Sequence, residues 1–199
     1  MKVLCLYNNE CAVELFDWLK KEGHECVLVN SIITRDWCLQ ESFDLAVSYT
    51  YSYIVKQDII DALNGNIVNL HNSFLPWNRG SDPNMWSIVE GTPRGVSLHY
   101  ITAGLDKGDI IAQELDLLDS NDTLATSYER LNILSIELFK KAFFYYEFWN
   151  QMARKQIGEG TYHNDKQGML LRQCISSYDM DALKFKKKYI NSNFDNKLR

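Results

Sequence analysis

The stretch that decides the fold is residues 3–30, with the sequence VLCLYNNECAVELFDWLKKEGHECVLVN. Residues 3–7 are an apolar run that stops at Asn8 and Asn9, which predicts a short buried strand. Residues 10–21 carry apolar side chains at helical spacing, and Gly23 ends the predicted helix. Residues 25–30 form a second apolar run. A strand, a helix and a strand in this order are the unit from which parallel sheets are built.

The same alternation continues beyond residue 30. Further strands are predicted at residues 43–48, 66–70, 96–101 and 109–118. Helices are predicted at residues 57–63, 84–90 and 123–149. Nearly continuous apolar strands with helices between them indicate an α/β fold with a doubly wound, mostly parallel, Rossmann-like sheet.

The length of 199 residues suits one domain of ordinary size. We expect a catalytic domain over residues 1–155 and a C-terminal extension, residues 156–199, that packs on or beside it. The aromatic stripe of the long helix is typical of core or of a dimer surface, so we expect a homodimer.

Composition and charge exclude several classes of protein. With 46% hydrophobic and 24% charged residues, a soluble globular protein is expected. The net charge of −5 gives no electrostatic footprint for nucleic acid. The basic cluster of Lys184, Lys186, Lys187 and Lys188 is expected to be a solvated face, and an anion contact is the alternative. No apolar stretch is long enough to cross a membrane, and residues 1–4 begin a strand rather than a signal peptide.

The five cysteines point to a reducing compartment. Their number is odd, and no CxxC or zinc-type Cys/His spacing occurs. We therefore expect a cytoplasmic protein without a metal.

Ligands of an open parallel sheet bind beyond the carboxyl ends of its strands. The first such place is the loop at residues 7–11, which contains Asn9 and leads into a helix. Neither GxGxxG nor GxxxxGK[ST] is present, so a dinucleotide oxidoreductase or a P-loop enzyme is not expected.

The second place is the strand end and loop at residues 69–80, NLHNSFLPWNRG. Strand alternation places Asn69 and His71 on the same side. The imidazole can take or return a proton near neutral pH, and the amide can donate a hydrogen bond to an oxygen that gains negative charge. A single histidine is usually structural, but the accompanying Asn69, Pro76, Arg79 and Gly80 favour a site.

The third feature is the loop GLDKGD at residues 104–109, in which two glycines flank Asp106 and Lys107. By pattern alone, a plain hairpin turn is at least as good an interpretation as a functional loop.

The order of these motifs resembles the folate-dependent formyltransferases. The resemblance is carried by residues 69–76 with Arg79, Gly80 and Pro83, then Gly91, residues 95–99 and residues 105–111. Within that family, residues 75–86 and the GTYH sequence at residues 160–163 are most similar to the nucleotide-sugar N-formyltransferases.

The resemblance implies an enzyme that moves a formyl group from N10-formyltetrahydrofolate to an amino-deoxysugar linked to TDP, UDP or GDP, in envelope-glycan or lipopolysaccharide biosynthesis. The implied catalytic residues are Asn69, His71 and Asp106. We expect Asp106 to orient the imidazole or an ordered water and to favour the charged imidazole, since a nearby carboxylate raises the pKa of a histidine. The implied folate-binding residues are Ser52, Tyr53, Ile54, Ile101, Thr102, Ala103, Gly104 and Leu105. The implied acceptor-binding residues are Asn9, Ser73, Trp77, Asn78, Arg79, Gly80 and His163.

Three alternatives stay open. The acceptor could be another amine, such as a ribonucleotide or an aminoacyl-tRNA, although the acidic charge counts against tRNA. The protein could instead hydrolyse formyltetrahydrofolate and release formate. It could also be a silent folate- or nucleotide-binding module, which the joint presence of Asn69, His71 and Asp106 disfavours.

Overall fold

The computed structural model of the protein describes residues 1–197. Its eight strands are β1 Lys2–Leu6, β2 Glu25–Val29, β3 Leu45–Tyr49, β4 Ile67–His71, β5 Arg79–Gly80, β6 Gly95–Tyr100, β7 Ile110–Leu115 and β8 Tyr162–His163. Its eight α-helices are α1 Val13–Lys21, α2 Arg35–Glu41, α3 Gln57–Ala62, α4 Pro83–Glu90, α5 Leu124–Phe143, α6 Trp149–Met152, α7 Asp165–Arg172 and α8 Ala182–Lys197.

The central sheet has six strands in the order β2-β1-β3-β4-β6-β7. The first four strands run parallel, whereas β6 is antiparallel to β4 and β7 is antiparallel to β6. The predicted α/β fold with a doubly wound, mostly parallel sheet is therefore confirmed. Strand β4, which carries the candidate residues Asn69 and His71, lies inside the sheet between β3 and β6.

Helices cover both faces of the sheet because its parallel strands are apolar on both sides. On one face, Leu15 and Phe16 of α1 and Phe139 of α5 pack on the strands. On the other face, Ile59 and Ile60 of α3 close a second core. The two cores fix the parallel strands β1, β3 and β4 so that their carboxyl ends lie at the same end of the sheet.

Several helix bounds differ from the predicted ones. Helix α2 was not predicted, because it has only seven residues and buries Cys38 alone; the Thr34 side chain caps it by accepting from the Trp37 N–H. The long helix stops at Phe143 and continues as a 3-10 turn, Tyr146–Phe148, and α6. Its aromatic stripe divides accordingly: Phe139 is buried in the core, whereas Phe144 is 86% exposed.

The C-terminal part of the chain contacts the loop and helix that follow β4. Strand β8 pairs in parallel with β5, Arg79 opposite Tyr162 and Gly80 opposite His163. Helices α7 and α8 pack on α4, and Phe185 and Leu171 join Trp86 and Met85 in a third core. The division at residue 155 stays a prediction.

Within residues 1–197, no helix combines the length and the hydropathy that a membrane span requires.

The third core predicts the effect of shortening Phe185, which is 0% exposed. We expect Phe185→Ala to lower the free energy of unfolding by about 3–5 kcal/mol, since the change removes a buried ring and leaves a cavity. Urea denaturation measures this loss. The matched control is Leu183→Ala on the same helix, where the side chain is 44% exposed and the expected change is within about 0.5 kcal/mol. Equal losses for both variants would contradict the packing described here.

Candidate active site

Strand β4 delivers Asn69 and His71 to one end of the sheet, as strand alternation requires. Strand β6 pairs with it so that Asn69 lies opposite His99. The Asn69 amide Nδ2 is 3.3 Å from His99 Nε2. Asn69, His71 and His99 therefore form one polar cluster where the parallel part of the sheet meets its antiparallel edge.

The two ring nitrogens of His71 have different partners. Its Nε2 lies 3.0 Å from the main-chain carbonyl oxygen of Asn78, and since a carbonyl only accepts, Nε2 carries the hydrogen and donates it. Its Nδ1 lies 3.8 Å from Asp106 Oδ2. Nδ1 is therefore the nitrogen that can gain or lose a proton on the side of Asp106.

Asp106 comes from the turn between β6 and β7 and has a left-handed backbone, with φ of 51°. Its Oδ2 accepts a 2.8 Å hydrogen bond from the Gly80 N–H, and its Oδ1 lies 3.6 Å from His99 Nε2. The side chain is only 9% exposed. The carboxylate is thus brought to His71 by two loops that are distant in sequence.

The ionisation of Asp106 is set by opposing effects. Burial raises the pKa of the carboxyl, but the attraction of His71 and His99, the Gly80 N–H and the charge of Arg79 outweigh it. The net pKa lies below the ordinary value, so Asp106 is a carboxylate at neutral pH.

His99 is a member of the cluster to which the sequence interpretation gave no role. Its Nδ1 donates a 2.8 Å hydrogen bond to the Tyr100 carbonyl, which leaves Nε2 to accept from Asn69. Burial lowers the pKa of His99 to about 4, despite the opposing attraction of Asp106. The neutral imidazole therefore orients the Asn69 amide. The signal that could have indicated His99 is one polar residue opposite another in two mostly apolar strands, Asn69 in β4 and His99 in β6.

A buried polar network supports β4 behind His71. The Asn72 amide donates to Asn132 Oδ1 at 2.8 Å and accepts from the Ser135 hydroxyl at 2.8 Å. The Tyr49 hydroxyl also donates to Asn132 Oδ1 at 2.8 Å. These bonds tie the end of β4 to β3 and to the long helix α5, and sequence reasoning did not predict them.

The cluster opens into a cleft of about 820 Å³. All the predicted folate-binding residues and three of the predicted acceptor-binding residues line it, namely Ser52, Tyr53, Ile54, Ile101, Thr102, Ala103, Gly104, Leu105, Asn9, Gly80 and His163. A smaller cavity of about 240 Å³ beside Val29 and Trp37 is lined without an ionisable side chain. The larger cleft is therefore the candidate active site.

Four of the predicted acceptor-binding residues lie outside the lining of this cleft, namely Ser73, Trp77, Asn78 and Arg79. Ser73 donates its hydroxyl to the Trp77 carbonyl, and the buried Asn78 amide donates to Thr92 Oγ1. The Arg79 guanidinium donates to Gln156 Oε1 and to the Glu159 carbonyl. These groups hold the loop after β4 in place, and the contact of the four residues with the acceptor stays a prediction.

No group of three or more His, Cys, Asp or Glu side chains in the described part of the chain is arranged to hold a metal ion.

Comparison with known proteins gives a family match and sequence relatives. The family model described as "Formyl transferase" matches residues 34–142. Methionyl-tRNA formyltransferase of Coprothermobacter proteolyticus is 26% identical over 197 residues, and the match covers 81% of this chain and 65% of that protein. The Prochlorococcus marinus protein of the same name is 34% identical over 134 residues, covering 66% of this chain and 39% of that protein. The chain thus spans 65% and 39% of the length of these curated relatives.

A solved structure matches over a greater share of both chains. It is the formyltransferase PseJ from Anoxybacillus kamchatkensis, in complex with UDP-4,6-dideoxy-4-formamido-L-AltNAc and tetrahydrofolate. The two chains are 33% identical with a TM-score of 0.82, and the match covers 95% of this chain and 100% of that chain.

The burial of neutral His99 predicts a pH dependence of stability. Between its folded pKa of about 4 and its ordinary pKa of 6.5, the unfolded chain binds a proton that the folded chain does not bind, so stability falls as the pH falls. We expect His99→Asn, whose amide can still donate to the Tyr100 carbonyl, to have a smaller loss of unfolding free energy on acidification. The slope against pH should decrease by up to about 1.4 kcal/mol per pH unit. Urea denaturation at pH 7, 6, 5 and 4.5 measures the slope. Parallel curves for the variant and the wild type would refute the neutral burial of His99.

Proposed function

The chain belongs to the formyl transferase family, and we propose that it transfers a formyl group from N10-formyltetrahydrofolate to an amine. The observation that carries this proposal is the convergence of Asn69, His71 and Asp106 at the floor of one cleft. An amide donor, a titratable imidazole nitrogen and a buried carboxylate are the groups that acyl transfer to an amine requires.

The transfer breaks the bond between the formyl carbon and the folate nitrogen and forms a bond from that carbon to the acceptor amine. His71 Nδ1 takes the proton that the amine loses and returns it to the departing nitrogen, while Nε2 stays bonded to the Asn78 carbonyl. Asp106 stabilises the protonated ring from 3.8 Å. Asn69, oriented by His99, donates to the formyl oxygen as that oxygen gains negative charge.

The residues present suit a reduced folate. The donor half of the cleft is formed by residues 50–55 and 101–105. It presents large apolar side chains to solvent: Tyr53 is 40%, Ile54 79% and Leu105 47% exposed. Such exposed side chains at a cleft are explained by a flat, partly apolar ligand that covers them. When bound there, the folate supplies the electrophilic formyl carbon.

We infer that the acceptor is an amino-deoxysugar linked to a nucleoside diphosphate. The similarity to PseJ, whose bound ligand is a UDP-linked formamido sugar, supports this inference. The described residues that line the cleft include neither Lys nor Arg. A lining without a fixed positive charge, with the polar side chains of Asn9, Tyr128 and Tyr162, suits a sugar ring within the cleft, and the phosphates are then expected nearer its rim.

The methionyl-tRNA formyltransferases among the sequence relatives make aminoacyl-tRNA the second candidate acceptor. The net charge of −5 counts against it. A homodimer, a cytoplasmic location and a place in envelope-glycan biosynthesis stay predictions.

The mechanism predicts the effect of removing either ionisable group of the cluster. We expect His71→Ala and Asp106→Asn each to lower kcat by about a hundredfold or more, since each removes a proton carrier or its counter-charge. Tetrahydrofolate formation, followed by absorbance, measures kcat. The matched control is His24→Ala, because His24 lies before β2 and outside the cleft lining; it is expected to keep wild-type kcat. Full activity of His71→Ala would remove the mechanism.

The acceptor proposal predicts the outcome of a panel assay with N10-formyltetrahydrofolate. The panel contains a UDP-linked 4-amino-4,6-dideoxysugar, a TDP-linked amino-deoxysugar, methionyl-tRNA and a reaction without acceptor. We expect formylation of a nucleotide-linked sugar and neither formyl-tRNA nor free formate. Formylation of methionyl-tRNA alone would contradict the sugar proposal, and formate without acceptor would identify a hydrolase.

A further inference from the structure

Residues 154–159 connect the long helical region to β8 and are mostly exposed. Ile157 in this segment is 86% exposed, whereas the neighbouring Gln156 is partly buried. Hydrophobicity alone would favour the opposite arrangement, with the isoleucine inside and the amide in water. The inward position of Gln156 must therefore be stabilised by its polar contacts.

The amide nitrogen of Gln156 donates to two main-chain carbonyls of the turn at residues 104–109, which contains Asp106. Its Nε2 lies 2.7 Å from the Asp106 oxygen and 2.9 Å from the Gly108 oxygen. Both hydrogens of the amide are thus used on the turn that presents the Asp106 carboxylate.

The amide oxygen of Gln156 accepts from Arg79, whose Nε and Nη2 lie 3.0 Å and 2.7 Å away. The next residue, Gly80, donates its N–H to Asp106 Oδ2. A closed ring of contacts therefore runs from Gln156 through Arg79 and Gly80 to Asp106 and back. The ring holds both the main chain and the side chain of Asp106.

Asp106 requires such support because its left-handed backbone, with φ of 51°, costs a non-glycine residue about 1 kcal/mol or more. A small rotation of the turn would also change the distance of 3.8 Å between its carboxylate and His71 Nδ1. Misplacement of a catalytic group by about 1 Å can cost on the order of a hundredfold in rate.

We propose that Gln156 is the positioning residue for Asp106, so that the segment after α6 completes the active site. The role in catalysis rests on the proposed formyl transfer; the mechanical role, restraint of the turn at residues 104–109, does not.

The test is Gln156→Glu, which keeps the length of the side chain and the contact with Arg79 but replaces the donor to both carbonyls by an acceptor. The matched control is Gln167→Glu in α7, the same chemical change in the same part of the chain. Gln167 Oε1 accepts from the Asn164 N–H, a bond that glutamate also makes, and Gln167 does not contact Asp106.

The first measurement is amide hydrogen exchange of residues 104–109. We expect exchange there to rise about tenfold or more in Gln156→Glu and to stay at the wild-type rate in Gln167→Glu. Unchanged exchange in Gln156→Glu would overturn the proposal whether or not the protein is a formyltransferase. If Gln156→Glu melts below the assay temperature, Gln156→Met removes the same hydrogen bonds without adding charge, and the same exchange rates decide.

The second measurement is kinetic, with N10-formyltetrahydrofolate and the UDP-linked 4-amino-4,6-dideoxysugar. We expect kcat of Gln156→Glu to fall about tenfold to a hundredfold, while KM for both substrates changes less than about threefold. In the Asp106→Asn background the same change should have no further effect on kcat, since Gln156 acts through Asp106.

Equal losses of kcat in both backgrounds, or wild-type kcat in Gln156→Glu, would overturn the positioning role and leave the proposed function intact. A fully active Asp106→Asn protein would instead refute the proposed mechanism, and the exchange rates would then still report on the mechanical role.

Discussion

The hydrogen bond from the Gly80 N–H to Asp106 Oδ2 is the constraint on which the active site depends. It joins β5 to the turn after β6, and it fixes the carboxylate beside His71. The backbone at residue 80 has φ of 90°, and a Cβ atom there would lie 2.2 Å from the His163 carbonyl oxygen. Only glycine allows the β5–β8 pairing and the contact with Asp106 to coexist, because any side chain would force the strands apart. The geometry of the carboxylate is therefore coupled to the C-terminal part of the chain.

The two histidines of the cluster have different surroundings, which suits them to different roles in the proposed transfer. His99 is 1% exposed, and its Nδ1 is committed to a carbonyl, so it stays neutral and serves as an acceptor for Asn69. His71 has Nδ1 3.8 Å from Asp106 Oδ2, and its side chain lines the cleft, so it is the proposed carrier of the proton. Burial thus keeps His99 neutral, and in the proposed mechanism His71 alone carries the transferred proton.

The sequence was sufficient for the sheet because each strand is a short apolar run between turn residues, and sufficient for Asn69 and His71 because strand alternation places both on one side. Asp106 was recognisable only by resemblance, since its loop has the composition of an ordinary hairpin. His99 required the pairing register of β4 and β6. Arg79 was predicted at the acceptor. Its contact with Gln156, 77 residues away, could not be predicted, because no local pattern contains the tertiary partner of a long, flexible guanidinium. Helices α2, α7 and α8 were missed or left undefined because packing, not periodicity, stabilises them.

The C-terminal extension contacts the site directly and contributes residues to the cleft. Tyr162 and His163 line the cleft, and β8 needs β5 as a partner, so neither strand has a sheet of its own without the other. Trp86 stacks on His163 with ring centroids 3.7 Å apart, which places an aromatic face of the third core against the cleft wall. A displacement of α7 or α8 would therefore move β8, and through Gly80 it would move Asp106. Asp106 is therefore held from both sides, through Gly80 before this extension and through Gln156 within it.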